Sequence, residues 1–290
     1  MRIKNLSIYV IALMILISIS CDKNPAGPEY QKEITVYGYL WAGESLNADH
    51  AILISYTRPV DEKYSLNDAI PENANVTLKD ESTGEVVQLN DSPDSPGFFY
   101  NDSLIIKPQT NYTLTVEADG KTVTASTTVP PALAIETDLM TNNMNYVYRD
   151  NLGINKPVTL RGENEKQIIY VDMYCNESWQ NAEFIDNFGP HDKSEDSERY
   201  DQGRNAEPRH IQAFMQLKDL KTDFYPGEYV VFWYHSMIVF YGSNTMQILA
   251  IDENYHNFLH KEHPELSGGV VGGIGVFGSV CGEDFDFMVM

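Results

Sequence analysis

The stretch NYTLTVEADGKTVTASTT, residues 111–128, decides the fold class of this chain. On both sides of Asp119-Gly120, apolar side chains alternate with threonines or other small polar residues. An alternation of period two is typical of a β-strand with one buried face. An Asp-Gly dipeptide favours the two-residue turn in which both central residues have positive φ. We therefore predict a β-hairpin.

More short strands precede this hairpin, and turn residues separate them. The first is residues 34–41, in which Ile34, Val36 and Leu40 share one face. About seven strands within roughly 100 residues are typical of an immunoglobulin-like β-sandwich. No Cys-Trp-Cys spacing is present, so we predict an immunoglobulin/fibronectin-III-like sandwich, but no true immunoglobulin domain, over residues 33–131.

The second half, residues 132–290, is predicted to be a β-rich domain with one short helix. Strand patterns recur, and residues 229–241 are apolar enough for strands covered on both faces. The helix begins at Glu253 and is stopped by Pro264. Residues 184–210 are polar and acidic without periodicity, which indicates a long exposed loop. The expected fold class is therefore all-β in the main.

The N-terminus has the features of a lipoprotein signal. Residues 1–20 join a short cationic start to an apolar run that is too short to cross a bilayer. Cys21 follows Ser18-Ile19-Ser20, which is similar to a lipobox except that Ser18 replaces the usual Leu. We predict lipid attachment at Cys21 and a flexible tether over residues 21–32. The alternative is an ordinary cleaved signal with an incidental cysteine.

Composition excludes some partners. The formal net charge is −22. Nucleic acid needs a basic surface, so we expect no nucleic-acid binding, and electrostatic docking on anionic lipid is equally disfavoured. Solvation of an extracytoplasmic protein explains the acidity. If Cys21 is acylated, Cys175 and Cys281 remain and could form a disulfide in an oxidising compartment.

Histidines on the predicted helix invite a zinc hypothesis. His256 and His260 have the i, i+4 spacing of a chelating pair. Asn257 stands where the catalytic His-Glu-x-x-His motif has its base, and no third ligand is identifiable. A polar helix face is the alternative. Residues 192–201 are rich in carboxylates but lack the calcium-loop pattern. We expect neither a metal nor another cofactor.

No catalytic residue can be assigned from the sequence. Residues 273–278 fit a Gly-x-Gly-x-x-Gly search, but they follow a helix and lead into β-structure, so close approach between strands explains the glycines better. No Gly-x-Ser-x-Gly elbow is present. The aromatics Tyr37, Tyr39, Trp41 and Trp179 could stack on sugars or grip a peptide, or could belong to the core.

Three stretches carry a family resemblance. They are Cys21 with the strand at 34–40, residues 108–130, and the helix around 255–263 followed by VGGIGVFGS at 271–279. In this order the features resemble a lipoprotein family of the Bacteroidetes and related phyla, catalogued as domain of unknown function 4249 (DUF4249). The resemblance implies an envelope lipoprotein of unknown biochemistry, often near outer-membrane TonB-dependent transporters. It implies no catalytic residues.

The sequence thus favours a non-enzymatic envelope lipoprotein, anchored to a membrane, with the outer membrane expected and its periplasmic or surface face left open. Its expected role is that of an accessory or binding subunit of a TonB-dependent nutrient-uptake system. The alternative is a stand-alone surface lipoprotein that binds glycan or peptide. A metal-dependent hydrolase is a third hypothesis and would require bound zinc.

Overall fold

The computed structural model describes residues 30–63, 65–137, 158–162, 164–177, 210–221, 223, 228–231 and 240–290. The predicted signal, Cys21, the tether as far as residue 29, Trp179 and loop residues 184–209 lie outside them, as do residues 232–239 of the apolar run. The chain divides into two units. The first is Met1–Lys32 with Arg58–Lys63, where Arg58 forms a 2.8 Å ion pair with Glu62.

The second unit, Glu33–Thr57 with Tyr64–Met290, contains all the described strands and the α-helix. In chain order, the described elements are β1 (Ile34–Trp41), β2 (Ser45–Leu46), β3 (Ile52–Tyr56), β4 (Asn75–Asp80), β5 (Val86–Gln88), β6 (Asn90–Asp91), β7 (Phe98–Ile105), β8 (Asn111–Ala118), β9 (Lys121–Thr128), β10 (Ala134–Glu136), β11 (Val158–Arg161), β12 (Ile168–Cys175), β13 (His210–Gln216), β14 (Tyr229–Val231), β15 (Gly242–Ile251), α1 (Glu253–His260), β16 (Val270–Val271) and β17 (Ile274–Val289).

These strands form three sheets. A nine-stranded sheet has the order β13-β12-β15-β17-β1-β3-β7-β2, with β6 pairing with β7. A five-stranded sheet has the order β16-β9-β8-β4-β5, and a three-stranded sheet has the order β10-β11-β14. The described part of the chain is thus mostly β with one α-helix and is sandwich-like, which confirms the predicted fold class.

The hairpin at residues 111–128 is confirmed. β8 and β9 pair antiparallel as far as Ala118 and Lys121. The two residues between them, Asp119 and Gly120, have φ values of 49° and 72°. Positive φ at both positions matches the right-handed twist of the strands, and an Asp-Gly pair tolerates it.

Two large hydrophobic cores lie against the nine-stranded sheet, and a smaller cluster of Tyr170, Leu249, Ile251 and Val280 packs with Tyr255 of α1. In the first, side chains of β1, β3 and β7 pack with those of β4, β8 and β9 from the five-stranded sheet. In the second, side chains of β12, β15 and β17 pack with those of β11 and β14 from the three-stranded sheet. The face of β17 serves both, because Phe277 belongs to the first core while Phe285 and Phe287 belong to the second. The predicted domain division at residue 131 stays a prediction. The last strand, β17, contributes side chains to the core built before that residue and to the core built after it.

The glycine-rich stretch is the start of β17, which runs parallel to β1. A Cβ built on Gly275, where φ is 118°, would lie 2.0 Å from the carbonyl oxygen of Val36. Glycine is therefore needed for close backbone approach, as the sequence predicts, and residues 274–278 belong to a strand of a sheet instead of a loop around a cofactor.

The strand register does not allow the disulfide that Cys175 and Cys281 could have formed. Cys175 is opposite Asn244 on β15, and Cys281 is opposite Ala250. The two sites are therefore about 20 Å apart along the strand, at roughly 3.4 Å per residue. A disulfide requires Cα atoms within about 7 Å, and these two cysteines are not bonded to each other.

The predicted helix is present but shorter than the sequence pattern. It ends at His260, because Lys261 adopts an extended conformation, and Pro264–Leu266 form a separate 3-10 turn. No helix among the described residues has the length and apolar character needed to span a membrane.

Candidate functional site

The candidate site lies where β15 ends and α1 begins. Asp252 is the N-cap residue of α1, and its Oδ1 accepts a 2.9 Å hydrogen bond from the backbone N–H of Tyr255. A side-chain acceptor at this position satisfies one of the N–H groups that have no partner in the first turn. The helix start is therefore fixed by a side chain that is only 8 % exposed.

A buried hydroxyl chain joins this cap to two other strands. Thr127 Oγ1 on β9 donates to Asp252 Oδ2 at 2.6 Å. The same Thr127 oxygen lies 2.7 Å from Ser279 Oγ on β17, and Ser279 donates to the carbonyl oxygen of Thr128 at 3.1 Å. The network therefore links the five-stranded sheet, the nine-stranded sheet and the helix through buried polar side chains that contact one another.

Burial of Asp252 raises the pKa of its carboxyl group above the ordinary value, because desolvation penalises the charged form. Hydrogen bonds from Thr127 and from backbone N–H groups act in the opposite direction and are the weaker effect. The site thus carries a carboxyl group that is harder to ionise than a surface aspartate.

Beside this network is a cleft of about 910 Å³. Its walls come from β8, β9, the segment that follows β9, the approach to β12 and the first turns of α1. The lining residues are Glu81, Asn111, Tyr112, Thr113, Ser126, Thr127, Thr128, Val129, Pro130, Pro131, Asn164, Lys166, Gln167, Ile168, Ile251, Asp252, Glu253, Asn254, His256 and Asn257. Its size is within the roughly 300–1,000 Å³ of small-molecule sites.

Several polar side chains of this lining are available to a ligand. The side chains of Asn111, Thr128, Lys166, Glu253 and Asn257 make no hydrogen bond or ion pair with the residues that the structure describes. Their backbones belong to strands, to the helix or to the short approach to β12, so the positions from which they project are well defined. They give the cleft donors and acceptors that are not already committed within the fold.

The backbone of β9 that faces the cleft is, in contrast, already paired. The N–H of Ser126 donates to the carbonyl of Gly269 at 3.2 Å, and its carbonyl accepts from Asn254 Nδ2 at 2.6 Å. The carbonyl of Thr128 accepts from Ser279. The cleft therefore offers side chains, and not a free strand edge, to whatever it binds.

The aromatic residues of β1 lie elsewhere. Tyr39 packs on Tyr255 with ring centroids 4.4 Å apart, and Trp41 stacks on His50 at 5.2 Å. Tyr37 contacts Phe258 edge-on and is 47 % exposed. None of these rings lines the cleft, and Tyr37 and Tyr39 contact rings of α1.

The two candidate zinc ligands are neighbours, but their geometry is that of ring packing. The rings of His256 and His260 stack 4.5 Å apart with 14° between their planes, and His260 Nδ1 lies 3.0 Å from the carbonyl oxygen of His256. Burial and the nearby His260 lower the pKa of His256. The described residues contain no group of three His, Cys, Asp or Glu that could hold a metal ion.

One family matches nearly the whole chain. Residues 23–280 match the family described as "Domain of unknown function (DUF4249)". The chain belongs to the DUF4249 family. This confirms the family resemblance, whose hairpin and glycine-rich strand lie within the matched residues, and it assigns no biochemical activity to the DUF4249 chain. No curated protein matches it.

Among solved structures, the DUF4249 chain is similar to the crystal structure of chicken CNTN1 FN1–FN3 domains. Sequence identity is 11 %, the match covers 88 % of this chain and 69 % of the other, and the TM-score is 0.23. A similarity of this size carries no argument about function.

The cleft and the hydroxyl chain are features that sequence reasoning missed. One local signal was present, since Asp252 lies between an apolar strand and the helix, where an N-cap is expected. Thr127 and Ser279 gave none, because their partners are distant in sequence. Cys21, the predicted lipid site, lies outside the described residues.

Proposed function

We propose that this protein is a non-enzymatic, lipid-anchored binding protein of the cell envelope that serves as an accessory subunit of a TonB-dependent outer-membrane transporter. The observation that supports a binding role is the cleft beside Asp252, with several uncommitted polar side chains. The family resemblance supports the transporter, because such lipoproteins are expected near transporters of this class.

Binding suits the site better than catalysis. The hydroxyl and carboxyl groups closest to a catalytic arrangement are those of Ser279, Thr127 and Asp252, which are 0 %, 4 % and 8 % exposed. A nucleophile must reach its substrate, and Ser279 is sealed within the sheet contact. These three groups hold the walls of the cleft in place, while the exposed amides and charged groups of the cleft meet the ligand.

The anchor at Cys21 is the part of the proposal that connects the cleft to a membrane. Cells that express the full chain are labelled with an alkyne fatty acid, and the protein is isolated from membranes. The expected result is label on the wild type and on a Cys281→Ala control, with none on Cys21→Ala. Label that survives in Cys21→Ala would overturn the anchor.

The accessory role is tested by partner capture. The tagged wild-type protein is crosslinked in intact cells and purified from detergent-solubilised envelopes, with Cys21→Ala as the matched control. A β-barrel transporter of the TonB-dependent class should co-purify with the wild type and be depleted in the variant. Absence of any such transporter after efficient crosslinking would contradict the accessory role.

The stand-alone binder is the second candidate, and the same cleft supports it. This candidate would be favoured if a ligand binds the isolated protein and crosslinking in intact cells captures no transporter. The two experiments therefore separate the binding site from the partner.

A further inference from the structure

The chemistry of the cleft deepens the proposed binding function, on which this step rests. We infer that the cleft beside Asp252 takes a neutral, hydroxyl-rich ligand of the carbohydrate class. Three observations support this ligand class: the lining side chains that make no hydrogen bond, the balance of their charges, and the backbone groups of β9, which are already hydrogen-bonded.

Amides and hydroxyls dominate the lining. Asn111 and Asn257 present uncommitted carboxamides, and Thr128 adds a hydroxyl. A carboxamide offers a donor and an acceptor side by side, and a hydroxyl offers both on one atom. Neighbouring hydroxyls of a sugar ring need this mixture, because each of them both donates and accepts.

The charges of the lining nearly cancel. Glu81 is paired with Lys79 at 2.5 Å, and Asp252 is buried within its hydrogen bonds. Lys166 and Glu253 remain as one cation and one anion. An anionic ligand would meet little excess positive charge here and would approach a chain of net charge −22, so a neutral ligand is favoured.

An extended peptide is disfavoured by the backbone of β9. Strand addition needs unpaired N–H and C=O groups along an edge. At Ser126 both groups are bonded, to Gly269 and Asn254, and the carbonyl of Thr128 is bonded to Ser279. A peptide would have to rely on side chains alone.

Apolar surface is present but limited. Pro131 and Ile168 are half-buried members of the lining, next to the polar side chains. They can contact the C–H faces of a sugar ring while the amides bind its hydroxyls. A wholly apolar ligand would instead leave the amides of Asn111 and Asn257 desolvated without partners, which is unfavourable.

Titration calorimetry and thermal shift of the full-length protein in detergent test this inference. The probes are short neutral oligosaccharides of glucan, xylan and mannan type, oligogalacturonate as an acidic counterpart, and a tryptic digest as a peptide mixture. The test protein is an Asn111→Ala/Asn257→Ala double variant. The control is Asn90→Ala, an exposed asparagine of β6 outside the cleft.

We expect a neutral oligosaccharide to bind, with affinity at least about tenfold weaker in the double variant and unchanged in Asn90→Ala. The replaced amides make no hydrogen bond within the described fold, so an unchanged thermal midpoint without ligand should confirm folding. Binding of only peptide or acidic sugar through the same asparagines would overturn the ligand class and keep the binding function. Binding of no probe, or neutral-sugar binding that the double variant leaves intact, would also overturn the inference. A failure of the proposed transporter role would appear in the crosslinking experiment instead, where no transporter would be captured.

Discussion

The hydroxyl oxygens of Thr127 and Ser279 lie 2.7 Å apart, although 152 positions separate them in the chain. The contact joins β9 of the five-stranded sheet to β17 of the nine-stranded sheet, and Thr127 continues it to Asp252 at the start of α1. Because all three groups are buried, their hydrogen bonds are made within the fold instead of to water. The cleft is built on this junction.

The hydroxyl of Thr127 should therefore contribute measurably to stability. Thr127→Val keeps the shape of the side chain but removes the donor to Asp252, and should lower the free energy of unfolding by about 1–3 kcal/mol. Thr124→Val is the matched control, because Thr124 is exposed on the same strand. Urea unfolding of both variants checks this. Equal effects at the two positions would show that the buried hydroxyl chain is unimportant.

The carboxyl group of Asp252 should give the protein a specific pH dependence. Its pKa is raised in the folded state, so the folded chain holds this proton more tightly than the unfolded chain. Its stabilising contribution is complete below the ordinary value of 3.8 and is lost as pH rises through the raised pKa. Relative to Asp252→Asn, the wild type should gain stability as pH falls from neutral towards that ordinary value.

The measurement is urea unfolding of both proteins over that pH range. Asparagine keeps the Oδ1 acceptor for the N–H of Tyr255, and its Nδ2 can donate to Thr127, so the variant should fold. A difference in unfolding free energy that stays constant with pH would contradict the raised pKa.

Gly275 should tolerate no side chain. Its added Cβ would lie 2.0 Å from the carbonyl oxygen of Val36, and its φ of 118° is unfavourable for other residues. Gly275→Ala should lose more than about 3 kcal/mol of unfolding free energy. In Gly84→Ala, φ is also positive but nothing lies within 4 Å of the Cβ, so a loss of about 1 kcal/mol is expected. Similar losses in the two variants would mean that β1 and β17 are not closely apposed.

Cys175 and Cys281 should both remain thiols in an oxidising envelope. The sites are about 20 Å apart along β15, which no disulfide spans. Intact-mass analysis after alkylation in denaturant, without reductant, should find both residues modified. A mass lower by two hydrogens and resistant to alkylation would show a bond between them, and a rearranged sheet.

Local patterns in the sequence predicted local structure well. Asp119-Gly120 between alternating strands specified the hairpin, since turn type follows from two residues. The alternation of Ile34, Val36 and Leu40 specified the buried face of β1, because successive side chains of a strand point to opposite faces. The glycines of residues 273–278 indicated close approach of strands, although not that β1 is the neighbour.

Long-range pairing could not be predicted in this way. Cys175 pairs with Asn244 of β15, and Cys281 pairs with Ala250, six positions further along the same strand. The residues around Cys281 give no sign of this register, so the sequence left a disulfide open that the structure does not allow. The cleft could not be predicted for the same reason. Asn111 and Asn257 are far apart in the sequence, and only the folded chain brings them to one surface. A site assembled from distant strands has no local pattern.

Site-specific photo-crosslinking in living cells tests the central claim, that this cleft is where the protein binds, most directly. A photoreactive residue replaces Asn257 in the cleft or, as the control, Asn90 outside it. Discrete adducts that carry captured glycan are expected from position 257, and none from position 90. Adducts from both positions alike, or from position 90 alone, would contradict it.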